Sequence, residues 1–166
     1  MIGPSRAEVR DKASRSSPDH VNSDVVAIPM DLMLLHKNAV LVVDIMFVKN
    51  VAFLITISRG IKFITVKYLK SHSAKQLSHS LKNVMNLYGK NGRNLHTVLT
   101  DTEFTSIFDT LIGKNMVNTT EPQEHVAEIE RTIHTVKERG RAVIITLPLN
   151  ILPKLVVLNV IKYVVF

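Results

Sequence analysis

Three carboxylates stand where a carboxylate is either costly or placed for use. Asp44 interrupts the apolar run A-V-L-V-V-D-I-M-F-V from Ala39 to Val48. A charge in such a strand is unfavourable unless it is paired, metal-bound or protonated. A partner lysine and a metal ion both answer that demand, and residue type alone does not choose between them. Asp101 follows the run L-H-T-V-L-T directly, in L-T-D-T-E-F. The carboxyl end of a strand is where sites gather in α/β sheets, and Asp is equally a good N-cap for a helix starting near Phe104. Glu128 lies in a helical pattern with Arg131, Thr132, Thr135 and Arg139 around it at three- and four-residue spacings. A helix glutamate is ordinarily a solvated face, while a row of bases and hydroxyls around an acid suits a phosphate backbone. Two strand-borne aspartates and a helix-borne glutamate together have a clear use. They can hold two Mg²⁺ ions about 4 Å apart, one activating an attacking oxygen and the other stabilising a leaving oxygen in phosphoryl transfer.

The elements that must position these residues follow from apolar periodicity. Ala39–Val48, Val51–Ser58 and Ile61–Leu69 are β-branched runs with short connections, which predicts an antiparallel meander. From Ser73 to Tyr88 the period changes, with Ala74, Leu77, Leu81, Val84, Met85 and Tyr88 at helical spacing. Ser73 is the expected N-cap of that helix and Gly89 its stop. Leu95–Thr100 is the fourth expected strand, Phe104–Ile112 a short helix closed by Gly113, and Met116–Thr119 a fifth strand. A longer helix is predicted from Pro122 to Arg139. Its start has Thr120 and Gln123 at capping-box spacing and its apolar stripe is Val126, Ile129, Ile133 and Val136, with Gly140 at its end. Leu155–Phe166 is a last apolar helix. The order β-β-β-α-β-α-β-α-α predicts an α/β fold: a mixed five-stranded sheet, three strands as an antiparallel meander and then two more, flanked by helices.

Composition narrows the partners. The chain has 166 residues, no cysteine and no tryptophan, so disulfides, Cys-type zinc sites and thiol nucleophiles are excluded together. The seven histidines show no metal-ligand spacing. The formal charge is +7, and it is unevenly placed. Residues 1–30 are neutral, Ser-rich and without periodicity, and read as a disordered tail or linker ahead of a domain over 31–166. Between Asp44 and Asp101 there is no acid and there are nine bases: Lys49, Arg59, Lys62, Lys67, Lys70, Lys75, Lys82, Lys90 and Arg93. Such asymmetry suits a polyanionic partner, and equally serves to solubilise an apolar sheet. No signal peptide is visible. The apolar stretch 142–166 is broken by Pro148, Pro153, Lys154 and Lys162, which argues against a membrane span.

V-V-D-I-M-F-V around Asp44, L-T-D-T-E-F around Asp101 and Q-E-H-V-A-E-I-E-R around Glu128 resemble the integrase catalytic core of copia-type retrotransposons. Gln123, Val126, Ala127 and Glu128 match the family's Q-N-G-V-A-E-R stretch, and the Asp101 segment is similar to its D-N-x-x-E-F, shortened. The resemblance spans about residues 40–166 and implies an RNase H-like fold. It also implies Asp44, Asp101 and Glu128 as catalytic, metal-binding residues and Mg²⁺ or Mn²⁺, two ions, as cofactor. The implied activity is a polynucleotidyl transferase and endonuclease that cleaves DNA ends and transfers strands into target DNA. Partners would be element and target DNA and further copies of the chain, with no membrane or small-molecule substrate, and the setting the nucleus or a cytoplasmic virus-like particle. Arg131, Thr135, Lys137 and Arg139 are the candidates for DNA contact, from helix position and charge. The sequence departs from the family at Thr102 in place of Asn, His125 in place of Gly and Arg131 in place of Asn. It also has a short segment between Asp101 and Glu128, no His/Cys zinc module and an interrupted last helix. These departures favour a fragment or a decayed copy, and the alternative to an active enzyme is an inactive remnant that only binds nucleic acid. A cellular RNase H-like nuclease is a third reading.

Overall fold

A computed structural model describes residues 27–101, 104, 117–118 and 122–165. Residues 1–26 of the expected tail, the helix expected beyond Phe104 and the side chain of His125 lie outside the described residues. The elements in chain order are α1 (Met30–Leu35), β1 (Asn38–Val48), β2 (Val51–Ser58), β3 (Ile64–Leu69), α2 (Ala74–Lys90), β4 (Asn94–Thr100), α3 (Pro122–Thr146) and α4 (Lys154–Val165). Between β4 and α3, Val117–Asn118 pairs in parallel with Val98 and Leu99 of β4.

The four long strands form a mixed sheet in the order β3-β2-β1-β4. β1 and β2 are antiparallel and joined by Lys49 and Asn50, both with positive φ, 48° and 60°. That pair is the type I′ geometry whose twist matches the flanking strands. β3 pairs antiparallel with β2, and β4 returns through α2 to lie parallel to β1. β3 begins at Ile64, three residues later than the expected Ile61. The intervening turn carries Lys62 at φ 54°, a left-handed conformation that cannot continue a strand.

Helices cover both faces. Alternation along β1 sends Leu41 and Val43 toward α2, where they join Leu54, Leu77, Leu81 and Val98. It sends Val42 and Met46 to the opposite face, among Phe53, Ile55, Ile129, Val136, Val157 and Ile161 of β2, α3 and α4. Every residue of β2 is buried, as a central strand covered on both faces requires.

The helix ends show where tertiary contacts override local signals. Ser73 caps α2 as expected, its side chain accepting from the Gln76 amide, but the helix passes Gly89 and stops at Asn91, ahead of Gly92 at φ 69°. α3 passes Gly140 and ends at Thr146. A β-carbon on Gly140 would stand 3.3 Å from Ile161 Cδ1, so this glycine serves the approach of α3 to α4 rather than a stop. Leu147 precedes Pro148 and is thereby disfavoured in helix, which sets the actual end. The short helix α1 has no counterpart in the sequence pattern; its Met30 and Leu35 are exposed. Among the described residues no helix is long and apolar enough to cross a membrane.

Candidate active site

Asp44 lies on β1 between Val42 and Met46, on the face that α3 covers. Parallel pairing aligns Val43 with Thr100, so the next residues, Asp44 in the middle of β1 and Asp101 just past the carboxyl end of β4, fall side by side. Asp44 is half-buried, and its Oδ1 accepts the Ile45 backbone N–H at 2.6 Å. Burial pushes its carboxyl above the usual range. The Ile45 amide opposes that, the charges of Asp101 and Glu130 push it further up, and Lys137 draws it down. Asp101 is exposed, and its carbonyl accepts the Phe104 N–H at 3.1 Å, as at the start of a helix.

Glu128 is directed elsewhere. Its carboxylate takes an ion pair from Lys62, through Oε1, and another from Arg59, through Oε2 at 3.4 Å. Burial alone would raise this carboxyl, but the hydrogen bond and charge of Lys62, and then Arg59, hold it below its ordinary value. Arg59 bonds through its backbone to Val40, four residues before Asp44. At about 3.3 Å per strand residue the two backbones are roughly 13 Å apart along β1. Helix geometry explains the divergence. Successive helix residues are rotated by about 100°. With Ile129 buried against the sheet, Glu128 and Glu130 emerge on opposite flanks of the buried stripe. Glu130 is on the flank that Asp44 senses, and Lys137, seven residues on, returns to the same side.

The structure therefore brings Asp44 and Asp101 together and does not bring Glu128 to them. Among the described residues no group of three or more His, Cys, Asp or Glu side chains is close enough to hold a metal ion. Reading by motif missed Glu130, Arg59 and Lys62. The signal available for Glu130 was its seven-residue spacing from Lys137. Of the expected DNA contacts, Arg131 and Arg139 are exposed, and Lys137 faces Asp44. The Thr135 hydroxyl donates to the Arg131 carbonyl at 2.9 Å, which leaves it an acceptor, poorly suited to phosphate.

The fold is similar to that of retroviral integrase catalytic cores. The catalytic core domain of BIV integrase superposes with a TM-score of 0.55 at 10% identity, over 76% of this chain and 80% of that one. The HTLV-2 integrase catalytic core domain in complex with magnesium, a trimeric form, gives 0.57 at 17% identity, over 79% and 84%. The simian T-cell lymphotropic virus intasome in complex with PP2A regulatory subunit B56 gamma gives 0.58 at 17% identity, over 79% of this chain and 48% of that chain. No protein-family model matches the chain, and no curated protein sequence does. The likeness defines the class of fold: an α/β integrase-core fold with a mixed four-stranded sheet between helices.

Proposed function

We propose that residues 31–166 are the catalytic core of a copia-type integrase, a polynucleotidyl transferase and endonuclease acting on DNA ends and target DNA. One observation carries the reading: Asp44, in the middle of β1, stands beside Asp101 at the carboxyl end of β4 in a fold similar to integrase cores. Divalent ions, Mg²⁺ or Mn²⁺, would polarise the attacking and leaving oxygens of a phosphodiester there. The donor chemistry of this pair suits such ions. The donors are hard carboxylate oxygens, and Asp44 is pushed up first by burial, against the Ile45 amide, and then by two neighbouring acids against one lysine, a cost that a cation relieves. Asp44 and Asp101 would be two of the ligands. The third is assigned to Glu130 by its side of α3 and to Glu128 by the V-A-E motif, and paired variants decide between them. Lys137 and the exposed Arg131 and Arg139 would meet the DNA backbone. The complete five-stranded RNase H-like sheet, assembly with further copies, and a nuclear or virus-like-particle setting belong to the same proposal.

The test is divalent-dependent disintegration of a branched DNA substrate. Asp44→Asn is expected to lower the rate at least a hundredfold while the domain stays folded. A variant as active as the parent sinks the proposal. A second reading is favoured by the engagement of Glu128 with Arg59 and Lys62: an inactive remnant that only binds nucleic acid. It predicts salt-dependent DNA binding and no metal-dependent product from any variant.

A further inference from the structure

A cleft of about 370 Å³ opens where the β1–β2 hairpin, the end of β3 and the start of α4 meet. Lys49, Lys70, His72 and Lys154 line it, with Asn50 and the Tyr68 ring, and no acidic residue does. None of the three lysines has an ion pair among the described residues. The fold holds each in place. Lys49 occupies the first left-handed position of the two-residue turn. Lys70 follows Leu69, which is buried and paired with Ala52. Lys154 carries its Nζ 4.4 Å above the centre of the Tyr68 ring, a cation–π contact. The His72 ring stands edge-on to Phe47 at 5.0 Å between centroids. α4 adds the positive end of its dipole, since Lys154 is its first residue.

We infer that this cleft is an anion site that takes the phosphates of a single nucleic-acid strand, apart from the Asp44 and Asp101 pair. Three ammonium groups and the His72 side chain offer donors to backbone phosphates, and the Tyr68 ring lies among them. The site contains neither aspartate, so it stands whether or not the carboxylates hold metal.

The experiment is fluorescence anisotropy of a labelled single-stranded oligonucleotide with the full chain, in EDTA so that no divalent ion contributes. Lys49→Glu with Lys70→Glu is compared with Lys75→Glu plus Lys82→Glu on α2, which changes net charge equally. The cleft pair is expected to weaken binding at least tenfold and to lower the salt slope by about 1.4, at ~0.7 for each phosphate that is no longer neutralised. The α2 pair is expected to weaken it less than threefold. Equal losses in the two variants would overturn the site, leaving only general charge attraction. Lysine acylation of the unmutated protein gives an independent measure: the strand is expected to protect Lys49, Lys70 and Lys154 and to leave Lys75 and Lys82 reactive. Inorganic tripolyphosphate is expected to compete. Protection by tripolyphosphate with none by the oligonucleotide would overturn the assignment to a strand.

Discussion

Replacing Glu128 with Gln separates structure from chemistry at α3. The side chains of Glu128, Arg59 and Lys62 are 23%, 38% and 63% exposed, so solvent screens both pairs. Partly exposed pairs contribute about 0.2–1 kcal/mol each. Because Glu128 is the most shielded of the three, the variant is expected to lose about 1–1.5 kcal/mol. At roughly 2–4 °C per kcal/mol for a domain of this size, Tm falls by about 3–5 °C. The assay is thermal denaturation followed by circular dichroism at pH 7. The gap should narrow in 1 M salt, where the Debye length is about 3 Å. It should also close in acid. A carboxyl held below its unfolded value stabilises above that value, about 4.3, and loses the contribution as pH falls through the folded one. Glu130→Gln should do the opposite, leaving Tm nearly unchanged and removing the divalent-dependent product. If Glu128→Gln left Tm unmoved at every pH and abolished that product, the assignment of Glu128 to a structural clamp would be refuted.

Three further outcomes follow from the same geometry. Asp44 has its carboxyl raised by burial and by like charges. Its ionised form therefore destabilises the metal-free protein above the folded value, and the effect disappears below the unfolded value of about 3.9. Asp44→Asn should accordingly raise Tm in EDTA at pH 7, with the difference closing toward pH 3. Ile161 is fully buried between α4 and the sheet, so Ile161→Ala should cost about 2–5 kcal/mol in urea denaturation. Gly140→Ala should be near neutral, because helix propensity gains about 0.5–1 kcal/mol against a 3.3 Å contact with the movable Ile161 Cδ1. Gly140→Leu should force α3 from α4 and cost about 1–3 kcal/mol.

The meander, the helix capped by Ser73 and the strand ending at Asp101 were legible because each rests on periodicity and local turn chemistry. The pairing of Asp44 with Asp101 was legible for the same reason: an acid inside a greasy strand and an acid at a strand end meet once the strands are parallel neighbours. The helix ends were less so, because Gly140 owes its place to Ile161, which is distant in sequence. The third carboxylate was harder again. Glu128 and Glu130 are two positions apart on one helix, about 200° around its axis. Which one meets the aspartates depends on how α3 lies on the sheet. The partners of Glu128 come from a turn more than sixty residues earlier, beyond the reach of any local pattern.

The central claim is that Asp44 and Asp101 form a divalent-cation site on this fold. Titrating Mn²⁺ into ¹⁵N-labelled protein and following amide broadening tests it most directly. Substoichiometric Mn²⁺ should first erase the signals of Asp44, Ile45 and Asp101, and then those of α3 near Glu130. The signals of Arg59 and Lys62, at the other end of β1, should persist. Broadening centred on any other part of the chain, or none at millimolar Mn²⁺, would contradict the claim.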